Sequence, residues 1–434
     1  MPADPYSLFS VLCTVNSDLS SQTAAAVARS SYGKLIAFLA ARTRDVAAAE
    51  DALSEAFAAA LATWPRDGCP ANPEAWLLTV ARRKLIDMFR ASRSHESAFG
   101  RGFDPDFDMD QFVAPSNVAP EIPDERLAMM FACAHPAIDA TVRAPLILQV
   151  VLGLDARAIA SAFLTSPAAM SKRLVRAKTK IREAGIPFRV PARADLLPRL
   201  DTVLNAVYAA YAEGWADPAA TDPAQRDLAE EGIFLARLLA ALLPDEPEVL
   251  GLLALVLHTE ARRAARRTAA GDFVPLAGQD PAQWNAALIL EAEQLLHRAS
   301  AHGALGRFQL QAALQSAHVH RVRTGESNWA DVVALYDALF ALTQSPVVAV
   351  NRAVALAELS GPAAALAALD SLAADPQSSA RLEEYQPWWA ARADLLARTG
   401  AYAQARHAYD RAIGLERDDA VRRFLALRQS ALPL

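Results

Sequence analysis

The chain has 434 residues, a formal net charge of −6 and 53% hydrophobic residues, enough for two or three domains with cores of their own. Its three cysteines, Cys13, Cys69 and Cys133, are too few and too scattered for a disulfide framework or a CxxC metal site. No signal peptide or apolar run of membrane length occurs, so a reducing cytoplasm is the expected compartment and a membrane is not an expected partner.

No run of alternating β-branched residues suggests a sheet, and the periodicity predicts an all-α protein. Charge is distributed unevenly along it. Residues 1–90 carry nine basic and nine acidic residues, and 91–125 carry two against eight. Residues 126–193 then carry eleven basic against three acidic, and 194–434 carry 21 against 29. A surface suited to nucleic acid is therefore local, and the net charge does not exclude it.

Residues 1–22 are polar and Ser-rich and read as an N-terminal arm. Helical pattern begins near Thr23, and a second helix opens at Asp45, placed as an N-cap, and extends to Trp64. Val46, Ala49, Leu53, Phe57, Ala60 and Trp64 form its apolar stripe. Asp51, Ser54 and Glu55 lie opposite, among alanines, a face that suits either a docking partner helix or a tolerated Ala-rich surface.

The Pro- and Gly-dense stretch WPRDGCPANP follows, with Asn72 as N-cap and Pro73 at the first helical position. The next helix aligns Trp76, Val80, Arg83, Asp87 and Arg90 on one stripe. An aromatic followed by cations suits unpaired DNA, where a base stacks and the backbone is held; a core tryptophan with solvated arginines is the competing reading.

Residues 154–185 read as a short helix, a break and a longer basic helix, a helix-turn-helix pattern. Ile159, Ala160 and Phe163 give the first helix an apolar edge, and Thr165 or Ser166 caps the second behind Pro167. On that second helix Met170, Leu174, Ala177 and Ile181 form an apolar stripe while Lys172, Arg173, Arg176 and Lys180 take another side. Laid in the major groove, such a helix presents its N-terminal residues to bases and its cations to phosphates. Cys133 and His135 are too isolated to be metal ligands, and His318 and His320 point to different faces of a helix.

The remainder is helical. Leu196, Leu197, Leu200, Val203 and Leu204 are expected to bury against neighbouring helices. The final segment scans as a tetratricopeptide (TPR) unit through Trp389, Ala393, Leu396, Gly400, Tyr402, Ala405, Tyr409 and Ala412, with Arg417 in place of the usual closing Pro. A weaker copy upstream turns at Gly361. Asp280, Trp284, Gln309, Gln311 and Arg352 are either pocket-lining residues or a structural polar network.

The run AEDALSEAF…TWPRDG.PANPEAWLLTVARRKLID, followed by RLVRAK.KIR, resembles extracytoplasmic-function (ECF) sigma factors of bacterial RNA polymerase, and within them the subgroup with a long C-terminal TPR-like extension. The resemblance covers about residue 25 to the C-terminus. It implies an arm (1–22), sigma region 2 (23–92), an acidic linker (93–124), a region 4 helix-turn-helix domain (125–190) and the extension (191–434). It assigns Asp51, Ser54 and Glu55 to the β′ coiled coil of core RNA polymerase, with Ser54 where Gln is usual. Arg66, Asn72, Trp76, Arg82, Arg83 and Lys84 would contact the −10 promoter element. Ser171, Lys172, Arg173, Arg176 and Lys180 would contact the −35 element, with Ala169 where a small hydroxyl residue is common.

By the same resemblance the β flap is a second polymerase contact, the linker either enters the polymerase's nucleic-acid channel or is a solvated tether, and the extension controls activity and takes a protein or peptide partner. No catalytic residue, cofactor or metal is expected. A stand-alone helix-turn-helix regulator with a TPR-like sensor is the alternative, but it leaves the Asp51 face and the Pro65 loop without purpose. An enzyme ranks third, because no nucleophile-base-acid set or phosphate loop stands out.

Overall fold

The computed structural model describes residues 23, 24, 27, 31–96, 124–163, 165–215, 223–375 and 382–433. The N-terminal arm and most of the acidic linker lie outside these. The protein is all-α: its described residues form helices and short 3-10 turns, and the one β interaction among them is an isolated bridge between Arg267 and Phe273. Among the described residues no helix is long and apolar enough to cross a membrane, and no group of three His, Cys, Asp or Glu could hold a metal ion.

Two compact units emerge. The first holds residues 1–214 and 223–235, so it runs past residue 191, where the extension was expected to begin. Its helices are α1 (31–43), α2 (Val46–Asp67), α3 (Pro73–Glu96), α4 (Arg126–Cys133), α5 (Ala140–Leu152), α6 (Ala156–Ala162), α7 (Pro167–Glu183) and α8 (Arg193–Trp215), with the first part of α9 (Pro223–Leu242).

Local rules explain most boundaries here. The Asp45 side chain accepts from the Ala48 N–H at 3.1 Å and opens α2. That helix continues past Trp64 to Asp67 with Pro65 inside it, and Gly68 at φ +86° stops it. Asn72 accepts from the Ala75 N–H at 3.0 Å and opens α3, which runs on to Glu96, inside the stretch read as linker. The stripe of α2 is buried as expected apart from Phe57, which is half-exposed.

Ser166 caps α7 by accepting from the Ala169 N–H, with Pro167 in the first turn. Met170, Leu174, Ala177 and Ile181 are all buried. Ile159 and Ala160 are buried too, whereas Phe163 stays exposed at the end of α6. In α8, Leu196, Leu200, Val203 and Leu204 are buried but Leu197, 42% exposed, is not; it faces away from the stripe that the other four define.

The second unit holds residues 215–222 and 236–434. At its centre α10 (Pro247–Glu260) is buried from Val249 to His258 and packs on α11 (Ala286–Ser300) and α12 (Arg307–Thr324). Glu248 of α10 caps α12, accepting from the backbone N–H groups of Phe308 and Gln309 at 3.0 Å each, because the N-cap itself is Gly306 and has no side chain to offer.

Next come α13 (Trp329–Thr343), α14 (Pro346–Ser360), α15 (Pro362–Ala374), α16 (Gln386–Arg398), α17 (Tyr402–Leu415) and α18 (Asp419–Ser430). Gly361 (φ +88°) turns α14 into α15, and Gly400 (φ +80°) turns α16 into α17, at the two positions the sequence marks. Each pair buries small residues against large ones; the Arg352–Asp337 and Arg392–Asp370 ion pairs link successive helices, and Arg398–Glu358 and Arg428–Asp394 link every second one. Being partly exposed, these pairs set register more than they add stability.

Four of the five candidate pocket residues of this unit are engaged structurally. Asp280 caps a 3-10 turn, Trp284 sits in a core cluster, Gln309 bonds Glu248 and the Ala304 carbonyl, and Arg352 pairs with Asp337. Gln311 is half-buried on α12. His258 is buried next to Arg262, and desolvation holds its imidazole down at about 4, so it is neutral near pH 7.

Candidate nucleic-acid interface

Two helix faces of the first unit carry the candidate residues. On α2, Asp51, Ser54 and Glu55 are all exposed, and Ala58, Leu61 and Ala62 beside them are exposed as well. An acidic strip with an apolar flank is left open to a partner. Glu55 also accepts a 3.3 Å ion pair from Lys84 of α3, which joins the expected polymerase face to a residue expected to meet DNA.

The candidate −10 residues do not form one surface. Arg66 is exposed in the last turn of α2, Asn72 is spent on capping α3, and Trp76 packs edge-on against buried Trp64 with ring centroids 5.4 Å apart. Arg82 is half-buried with its guanidinium over the Phe38 ring, which Arg42 also covers, and burial lowers the basicity of both arginines. Arg83 and Lys84 are exposed on the adjoining side. Arg42 belongs to this basic group, yet its sequence context gave no sign of it: only folding brings it over Phe38.

On α7 the arrangement is cleaner. Ser171, Lys172, Arg173, Arg176 and Lys180 are all exposed, opposite the buried stripe. Arg173, Arg176 and Lys180 line one side of a cavity of about 460 Å³ whose other wall is Ile138, Asp139, Thr141 and Val142 at the start of α5. Asp139 accepts from the Thr141 hydroxyl and N–H, which holds its carboxyl below the usual carboxylate range.

Two basic residues of α7 that the sequence did not single out are placed differently. Lys178 and Arg182 turn back toward α2, where Lys178 pairs with Glu50 at 2.6 Å and Arg182 with Asp45 at 3.1 Å. At the other end of the module, buried Arg126 bridges Asp124 and Glu231 of α9 and lies over the Phe234 ring.

Comparison with known proteins connects these surfaces to a family. The model for sigma-70 region 2 matches residues 27–95, and a family of unknown function, DUF6596, matches residues 199–300. Uncharacterized protein R00370 of Rhizobium meliloti (strain 1021) is 38% identical over 373 residues, covering 86% of this chain and 87% of that protein. This chain belongs to the family of R00370. A probable RNA polymerase sigma factor, RfaY of Xanthomonas campestris pv. campestris, is 31% identical over 189 residues, 41% of this chain and 44% of that protein. No solved structure matches.

The matched region and RfaY together support an RNA polymerase sigma factor. Region 2 is then α1 to α3, and it contains Asp51, Ser54 and Glu55 together with every candidate −10 residue from Arg66 to Lys84. The DUF6596 match begins within α8 and ends with α11.

Proposed function

We propose that the chain is a sigma factor of the ECF type, which brings core RNA polymerase to promoters and helps open them without covalent chemistry of its own. Its Asp51, Ser54 and Glu55 face takes the β′ coiled coil. Arg66, Asn72, Trp76, Arg82, Arg83 and Lys84 serve the −10 element, with Asn72 acting partly by capping α3 and Trp76 and Arg82 partly by packing. The second module, a helix-turn-helix formed by α6 and α7, serves the −35 element and meets the β flap. The observation that carries this reading is the division of α7: four apolar residues buried, five candidate DNA residues exposed. A merely solvated basic helix has no need of its cations gathered along one cavity.

The extension is read as a TPR-like solenoid that takes a protein or peptide partner and controls activity. Support comes from the glycine-turned helix pairs and from the inclusion of α8 and the start of α9 in the compact unit of the sigma modules. A partner of core polymerase is expected in the cytoplasm.

The purified chain alone is expected to bind duplex promoter DNA weakly, with sequence-specific binding appearing only when core polymerase is added. One short basic helix makes few base contacts, and the net charge of −6 adds no general attraction. Tight, specific duplex binding by the chain alone would instead favour the stand-alone regulator.

Arg176→Ala distinguishes two roles for the basic face. If the side chain reaches phosphate, the holoenzyme's promoter binding weakens on all sequences and the slope of log affinity against log salt falls by roughly one. If it reaches a guanine, the loss is about 1–3 kcal/mol and confined to promoters with that base. A variant equal to wild type at every salt and promoter would show that this face points away from DNA.

A further inference from the structure

An array of helix pairs is ordinarily open-ended, since each pair touches only its neighbours and the terminal helices face solvent. In the second unit the two ends meet. Helix α10 packs on α12, and from α12 onward each helix packs on the next as far as α18. The loop that follows α10 then reaches α18 directly, 151 residues further along the chain, so the series of contacts returns to where it began.

The loop is shaped for that contact. The Thr268 N–H donates to the Asp272 carbonyl at 2.9 Å and the Asp272 N–H to the Thr268 hydroxyl at 3.1 Å, with Gly271 at φ +83° making the turn. Arg267 and Phe273 face each other across the isolated bridge. The turn is also tied to the end of α10: the Val274 N–H donates to the Arg266 carbonyl, and Trp284 further along sits in a core cluster with Ala261 and Ala265. It presents Arg267, Asp272 and Phe273 together.

Each of the three has a partner at α18. The Arg267 guanidinium meets the Asp418 carboxylate, with side chains 10% and 29% exposed. Arg423 reaches Asp272 at 3.3 Å, and the Phe273 and Phe424 rings meet edge-on with centroids 5.4 Å apart. Asp418 is also the N-cap of α18, its other oxygen accepting from the Ala420 and Val421 N–H groups, so the contact holds that helix at its start. The loop carries a positive charge at 267 and a negative one at 272, and the helix carries the reverse order at the same spacing, 418 and 423. Opposed charge orders accept one register and repel shifted ones.

We propose that these contacts form a clasp that closes the C-terminal extension on itself, and that the extension exerts its control by opening and closing it. The second half rests on the sigma-factor reading; the clasp does not. A mostly buried ion pair fixes one arrangement more than it adds net stability, and the exposed pair beside it adds little. The closed and open forms therefore differ by an amount that a binding partner can overcome.

The test is hydrogen exchange on the full-length chain, read by mass spectrometry over residues 267–274 and 419–430. Wild type is expected to protect both segments. Asp418→Asn keeps an N-capping residue and removes the charge, and should speed exchange in 267–274 by about tenfold or more. Arg267→Gln should do the same in 419–430. Arg423→Asp sets two carboxylates face to face and should open both segments, and adding Asp272→Arg should restore protection, which a merely damaged helix would not allow. Unchanged exchange at the far segment in all three single variants would overturn the clasp, as would a double variant no better protected than Arg423→Asp alone. Transcription with core polymerase from a cognate promoter reads the second half, with a several-fold change in output expected for Asp418→Asn. Unchanged output with the clasp open would remove its regulatory use. If wild type itself gives no output, the regulatory half falls with the sigma-factor reading while the clasp stands on its exchange pattern.

Discussion

Replacing Asp51 and Glu55 together by arginine is expected to abolish association with core RNA polymerase while helix content stays unchanged. Both side chains are exposed on the side of α2 opposite Val46, Ala49, Leu53 and Trp64, so no core contact is lost. Glu55 has one partner, Lys84, in an exposed pair at 3.3 Å, and such pairs contribute about 0.2–1 kcal/mol. At a protein interface, close charge pairs couple by about 1.5–7 kcal/mol, so reversing two should weaken binding by at least roughly a hundredfold. Pull-down with core polymerase and circular dichroism, measured on the same sample, decide it. Undiminished pull-down would remove polymerase docking from this face.

A chain cut after Arg193 is expected to lose transcription from a cognate promoter altogether. The cut removes α8, whose Leu196, Leu200, Val203, Leu204 and Val207 are buried and whose Arg199 donates to the Phe131 carbonyl of α4 at 3.2 Å. Side chains of this kind stabilise by about 1.5–3 kcal/mol each when fully buried. Five of them rival the whole stability of a domain, about 5–15 kcal/mol. Since the cut chain is at risk of not folding, Glu231→Ala in the full-length protein is the milder arm. It leaves Arg126, 8% exposed, with Asp124 as its remaining carboxylate. A stability loss of about 2–3 kcal/mol follows, below the 3–5 kcal/mol typical of breaking a buried pair because Glu231 is itself 26% exposed. Denaturant unfolding and transcription with core polymerase measure both effects. Higher output from the cut chain would mean that the extension masks the DNA-binding module, and equal output with unchanged unfolding would mean that it braces nothing.

The residues whose roles depend on their own helix were legible in the chain. Asp45, Asn72 and Ser166 cap helices because a short side-chain oxygen meets free N–H groups within three residues, and that geometry needs no tertiary partner. The apolar stripes of α2 and α7, and with them the free faces of Asp51 to Glu55 and of Ser171 to Lys180, follow from a period of 3.6 residues. The turns at Gly361 and Gly400 follow from glycine's tolerance of positive φ. Tertiary structure alone decided which charges are spent. Lys178 and Arg182 carry the same local pattern as Arg176 and Lys180, yet they face Glu50 and Asp45, 128 and 137 residues away. Arg126 reaches Glu231 across 105 residues, Arg82 folds onto Phe38, and the first unit takes in α8 and the start of α9. Periodicity specifies which side of a helix is apolar. Which cation on the other side finds a carboxylate depends on how helices far apart in sequence pack, and no local pattern encodes that.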